Sequence, residues 1–281
     1  AYEIMPSLVG SEMCIRDSVL IGAISPHPPL LIPEVGGRER EKVKKTDLSL
    51  KKIAEEFKKL NLGTILIISP HAPYIYDSIS IYSSRLLYGD FSQFGAPQVY
   101  LEYENDELMV KELIKQGKEK GINFVPLSPD TPLDHATMVP LYYLNEARIQ
   151  SKIVAMSPEF TASKERLIQI GEFIRGVCEQ TNGRIGLIAS GDLSHRLSPY
   201  GPYGFSPNGP LFDREVVSAI KNKDLQTLLS IPEGIVEDAG ECGFKPILTL
   251  IGALPFDEFT PEVLSYEGPF GVGYMVSIFR R

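Results

Sequence analysis

Four histidines are spread over 281 residues, at positions 27, 71, 135 and 195. Three of them share a context. His27 stands in SPHPPL after the apolar run VLIGAIS (19–25), His71 in SPHAPY at the end of TILIISP (64–70), and His195 in SGDLSH at the end of RIGLIAS (184–190). Each run reads as a buried strand. Ligands of open α/β sheets collect at the carboxyl ends of the strands, so these rings are expected to converge on one crevice although they are distant in sequence. Neutral imidazole is a frequent metal ligand, and the prolines beside His27 and His71 stiffen the backbone that aims each ring. Such a pair fits metal binding better than a mobile acid or base.

Two imidazoles need a third ligand. Glu241 in EDAGECGF (237–244) is the candidate, because it opens an apolar helix where solvation gives no reason for a charge. Two other readings stand beside it. A carboxylate at a helix N-terminus is favoured by the exposed N–H groups and the dipole, so Glu241 could be a cap. Cys242 competes as a ligand, since a thiolate suits zinc or a softer site. Neighbouring helix positions point about 100° apart, so both do not reach one ion. Two histidines and a carboxylate leave positions open on Fe(II) for substrate and dioxygen, and the same set serves catalytic zinc. His195 is then free to act as acid and base. His135, in LDHAT (133–137), could orient substrate or bound oxygen, or be an ordinary hydrogen-bonded loop residue. The breaker-rich stretch SPYGPYGFSPNGP (198–210) reads as a loop. Its Tyr200, Tyr203 and Phe205 could shape a substrate pocket or pack the loop itself.

The elements that must position these groups alternate. Val43, Leu50, Ile53, Phe57 and Leu60 predict an amphipathic helix over 39–61. Further strands are expected at 78–83, 97–103, 122–127, 152–156, 263–268 and 271–279. Helices are expected at 106–120, 137–147, 160–181, 211–222, 224–230 and 241–254. This pattern predicts an α/β fold, a single-domain mixed sheet flanked by helices on both faces. The domain is expected over 19–281, behind a leader or vector-derived segment at 1–18. The net charge of −8 argues against a nucleic-acid surface. With 43% hydrophobic and 23% charged residues the composition is globular, and no apolar run approaches the ~20 residues that span a bilayer. Cys14, Cys178 and Cys242 are too few and scattered for a disulfide framework, which makes a reducing, cytoplasmic compartment the expectation. Neither a GxSxG elbow nor a GxGxxG after the first strand is present, against a serine hydrolase and dinucleotide binding.

The motifs PHPPLL (26–31), SPHAPY (69–74), DHATMVPL (134–141), SGDLSH (190–195), GPLFDRE (209–215), AGECGF (239–244) and VLSYEGPFGVGY (263–274) follow one another in order. Together they resemble the class III extradiol dioxygenase superfamily of LigB type. More narrowly, they resemble the dioxygenase-like domain of AmmeMemoRadiSam system proteins, over about Val19 to Phe279. The resemblance implies a LigB-like (phosphorylase/hydrolase-like) architecture and a non-haem Fe(II) site held by His27, His71 and Glu241, with zinc as the alternative metal. It implies His195 as the catalytic acid and base, His135 as a second residue of the catalytic site, and Asp192 as an orienting partner. The implied reaction is opening of a small catechol-type ring with O2, and Tyr203 and Phe205 of the 198–210 loop are the candidates to line its substrate. A homodimer, an AMME-type domain or a radical SAM protein of the same system are the implied partners. Related Memo-like proteins carry a cysteine among the metal-site residues. A zinc-dependent hydrolase and a Memo-like metal- or peptide-binding regulatory protein are therefore the rival readings.

Overall fold

Parallel strands covered on both faces must be apolar at nearly every position, and the runs of that kind form the middle of the sheet. The computed structural model describes residues 18–181 and 183–281, so the segment expected at 1–18 lies, but for Ser18, outside them. In chain order the strands are β1 (Val19–Ser25), β2 (Thr64–Ile68), β3 (Ile79–Ile81), β4 (Leu86–Phe91), β5 (Ala96–Glu104), β6 (Phe124–Pro126), β7 (Lys152–Met156), β8 (Ile185–Ser190), β9 (Thr260–Glu267) and β10 (Tyr274–Arg280). The α-helices are α1 (Pro33–Gly36), α2 (Lys44–Lys59), α3 (Glu107–Lys120), α4 (His135–Glu146), α5 (Lys164–Glu179), α6 (Asn208–Asn222), α7 (Leu225–Ser230), α8 (Glu233–Ala239) and α9 (Phe244–Ala253).

Eight strands form one mixed sheet in the order β6-β3-β7-β2-β8-β1-β10-β9. Its centre, β7-β2-β8-β1, is parallel. β3 and β10 run antiparallel to their neighbours in that centre, and β4-β5 form a separate hairpin. The side-chain period of two divides the core. Ile65 and Ile67 of β2 pack with α2 and α4, while Leu66 and Ile68 face the layer of α3, α5, α6 and α9. The expected α/β sheet with helices on both faces is present. No helix among the described residues is long and apolar enough to cross a membrane.

Three departures from the sequence expectation have physical causes. β4 reads LLYGDF, with a glycine and an aspartate that depress strand propensity. Gly89 is there because a Cβ would lie 2.7 Å from Met138 Sδ, so the hairpin sits directly on α4. α8 is only seven residues long, entered from Pro232 and closed by Gly240 at φ 61°. The helix expected over 39–61 is split into a 3-10 stretch, Gly37–Val43, and α2.

The parallel register sets the carboxyl ends of β1, β2, β7 and β8 along one edge. At that edge a Cβ on Gly191 would lie 2.1 Å from the Gly243 Cα. The loop after β8 and the entry to α9 are therefore in backbone contact, which only glycines allow.

Candidate metal centre

The three segments that meet at this edge bring His27, His71 and His135 together. One ligand atom from each lies within 4.8 Å of the others. The ring centroids of His27 and His71 are 4.9 Å apart, those of His27 and His135 5.3 Å, and those of His71 and His135 4.5 Å in a stacked pair. His27 is buried, His135 half-buried, and His71 exposed at the mouth.

Hydrogen bonds determine how these rings are presented. Ser190 Oγ donates to the Ala136 carbonyl at 2.6 Å, so its contact with His27 Nδ1 at 3.0 Å makes it the acceptor there. His27 thus carries its proton on Nδ1, and Nε2 keeps a free lone pair. Asp134 ties together the segments that carry the other two rings. Its carboxylate caps α4, accepting from the Thr137 N–H at 3.0 Å and the Thr137 hydroxyl at 2.9 Å, which places His135 in the first turn. Ser69 Oγ donates to Asp134 at 2.5 Å and accepts the His71 N–H at 3.2 Å, so the β2 loop and α4 are tied through one side chain.

The electrostatics favour neutral rings. Burial, with the neighbouring His71, His135 and His195, holds His27 well below the usual imidazole range. Burial and His71 push His135 down to about 4, against the opposing charge of Asp134. Even His71 is lowered, because the protein around it removes part of its hydration, again against Asp134. Three uncharged imidazoles in reach of one point are the donor set that a divalent transition metal takes. The residues present fit such an ion.

Asp192 closes the cluster from the β8 side. Its Oδ1 accepts the His27 N–H at 2.9 Å, and its Oδ2 lies 3.9 Å from His27 Nε2. Its carbonyl accepts from the N–H groups of Cys242 at 3.3 Å and Gly243 at 2.9 Å. Burial raises the carboxyl to about 7, against the His27 N–H. Cys242 Sγ stands 3.6 Å from His27 Nε2, and burial, Asp192 and Glu241 push its thiol well above its ordinary range. Tyr274, buried close enough to feel the charges of Asp192 and Cys242, was not singled out from the sequence. Phe94, whose ring is 5.3 Å from His135, was also missed. Nothing in its local pattern marks it.

The structure does not bring Glu241 into the imidazole cluster. Its Oε2 accepts the Phe244 N–H at 2.5 Å, one of the unpaired donors at the start of α9. This is the capping alternative weighed on the sequence. Burial raises Glu241 to about 7, against Phe244 and Lys245 and with Asp213 and Glu233. His135, expected beside the ligands, is the third residue of the imidazole cluster.

His195 comes from a different strand end. Its N–H donates to the Ala239 carbonyl at 3.1 Å, and its ring lies 5.4 Å from that of Tyr203. Its Nδ1 is buried with no hydrogen-bond partner among the described residues. Burial lowers it first, the Gly240 backbone opposes, and the His71 charge lowers it further. Tyr203 thus stands beside His195. Phe205 is 53% exposed and joins the same loop through an antiparallel bridge to Leu197.

Asp213 holds the segment that carries His195. Its Oδ1 accepts the Ser194 N–H at 2.8 Å and its Oδ2 the Tyr266 hydroxyl at 2.6 Å. Burial raises it to about 7, against both bonds. A carboxyl raised in the folded state contributes stability below its unfolded value near 4, and that stability is lost as the pH rises through 7. Asp213→Asn keeps the shape without the charge. Relative to the wild type it is expected to gain on the order of 1–3 kcal/mol of stability between pH 5.5 and pH 8, read by calorimetry. A variant relatively weaker at pH 8 would show that the carboxylate is the favoured form.

Known proteins resemble this chain in sequence and in fold. A Clostridium acetobutylicum protein, CA_C1420, is 36% identical over 259 residues, covering 89% of this chain; the chain spans only 55% of that relative's length. A 3,4-dihydroxyphenylacetate 2,3-dioxygenase of Escherichia coli is 24% identical over 236 residues, 76% of this chain and 82% of that enzyme. The crystal structure of the uncharacterized protein JW3007 from Escherichia coli K12 superposes with a TM-score of 0.60 at 16% identity, covering 93% of this chain and 100% of that one, a likeness of fold. Residues 22–277 match the family described as the catalytic LigB subunit of aromatic ring-opening dioxygenase. That span carries all four histidines, and the chain belongs to this family.

Proposed function

We propose that this chain is a metal-dependent dioxygenase that opens a small catechol-type ring with O2, with Fe(II) as the ion and His27, His71 and His135 as the residues that would hold it. The observation that carries this reading is the cluster of three neutral imidazoles at the carboxyl edge of the sheet, in a family of ring-opening enzymes. When bound, Fe(II) would supply positive charge for two adjacent hydroxyl oxygens and an open place for dioxygen.

The rest falls to the protein. The partnerless Nδ1 of His195 takes the proton of a substrate hydroxyl and returns it later in the reaction, which suits a ring held neutral at pH 7. Tyr203 flanks the same space and gives a planar ring a surface to lie against. Ser190 and Asp134 keep the imidazoles aimed while this happens. The substrate class is a single catechol, in line with the name of the Escherichia coli relative. On the likeness to AmmeMemoRadiSam proteins, an AMME-type domain or a radical SAM protein of that system is the partner we assign.

One observation favours a second reading, a zinc-dependent hydrolase. The Cys242 thiol lies 3.6 Å from His27 Nε2, and sulfur beside imidazole suits zinc. Anaerobic reconstitution separates the two. The Fe(II) protein is expected to consume O2 with 3,4-dihydroxyphenylacetate in an oxygen electrode, and the Zn(II) protein to stay at background. Hydrolytic turnover restored by zinc and indifferent to O2 would overturn the dioxygenase. Background uptake across a panel of catechols by fully loaded Fe(II) protein would point to a binding module.

A further inference from the structure

The loop that carries Tyr203 is long, rich in glycine and proline, and exposed at its tip. Tyr200 is 98% exposed, Tyr203 61% and Phe205 53%. A loop with so little buried apolar area needs another reason to hold one shape. The polar contacts at its base supply one. Asp238, on α8, accepts from Arg196 Nη1 at 3.1 Å, from the Asn208 side-chain amide at 2.9 Å, and from the Ser206 hydroxyl. Arg196 and Ser206 are the two feet of the loop. They are joined to each other by the Ser206 N–H to the Arg196 carbonyl at 3.0 Å, and the Leu197–Phe205 bridge stands above them.

The next two residues of α8 and its cap hold what the loop must meet. The Ala239 carbonyl accepts the His195 N–H at 3.1 Å and the Ser194 hydroxyl at 2.9 Å. Gly240 seats the Tyr203 ring, since a Cβ there would lie 3.5 Å from Tyr203 Cδ2. Three consecutive residues thus fix the loop, the histidine and the aromatic ring relative to one another. Ser206, Asn208 and Arg196 hold the Asp238 carboxyl below its usual range, so it remains a charged acceptor at neutral pH.

We propose that Asp238 is a positioning residue: by gripping both feet of the 197–205 loop it fixes the Tyr203 ring against His195 and so sets the wall on which an aromatic ligand lies. The part played by the ligand rests on the ring-opening reading; the grip on the loop does not.

Two measurements on the full chain test it, with Asp238→Ala, Tyr203→Ala and the double variant. Hydrogen exchange followed by mass spectrometry needs no ligand. Asp238→Ala is expected to speed exchange across 198–206 at least about tenfold while peptides bearing His27, His71 and His135 keep wild-type rates. Unchanged exchange in the loop would overturn the proposal. The second probe is 4-nitrocatechol, titrated anaerobically into Fe(II)-loaded protein and followed by its absorbance. Asp238→Ala is expected to weaken binding about 3- to 10-fold, and to add nothing once Tyr203 is already alanine, because it acts through that ring. Weakening that adds in full to the Tyr203→Ala effect would also overturn it. If wild-type protein with full metal leaves the nitrocatechol spectrum unmoved, the catechol reading fails, and the exchange rates alone decide whether Asp238 grips the loop.

Discussion

His135→Ala is expected to reduce metal affinity by more than about 100-fold, since removing a ligand should exceed the 10- to 100-fold cost of removing a group that merely orients one. The measurement is metal content after desalting, with a competing chelator to give the constant. His135 sits in the first turn of α4, with its backbone fixed by the Asp134 cap and its ring stacked on His71. Alanine keeps the cap and favours the helix, so a loss of metal is not a loss of fold. Glu241→Gln is the matched control. Its side-chain oxygen can still accept the Phe244 N–H, so it is expected to retain the metal. The reverse pattern, metal kept by His135→Ala and lost by Glu241→Gln, would restore the ligand set implied by the resemblance.

His195→Gln is expected to do the opposite: to hold metal at the wild-type level and to lower kcat by about 10²- to 10⁴-fold, the usual worth of a positioned acid and base. The pH profile sharpens this. A histidine lowered in the folded state is neutral above its depressed value, so the wild-type rate is expected to hold as the pH falls through 6.5 and to decline only below it. That decline is expected to vanish in the variant. An unchanged acid limb would assign it to a different group, and an unchanged kcat would remove His195 from the chemistry.

The strand ends were legible because composition and geometry coincide there. VLIGAIS, TILIISP and RIGLIAS have to be buried parallel strands, and such strands deliver the residue after them to one edge. His27, His71 and His195 could be placed on that ground alone. His135 could not be assigned as a candidate ligand in the same way, because its position depends on α4 crossing back over the edge and on the Asp134–Ser69 link, both tertiary facts. Glu241 shows the limit from the other side. Its sequence context fits a ligand and a helix cap, and the hydrogen bond it accepts at the start of α9 depends on how that helix is placed. The strand β4 escaped for a related reason. Gly89, which weakens the strand signal, is required by the close approach of α4.

The three rings hang from segments that meet only when the parallel ladder is in register. An ion shared among them is therefore a reversible staple across the chain, absent from any unfolded form. Its contribution grows as the logarithm of free metal over the dissociation constant. If the chain binds the ion as proposed, its melting temperature would rise with free metal, and loss of the ion would weaken the sheet along with the site.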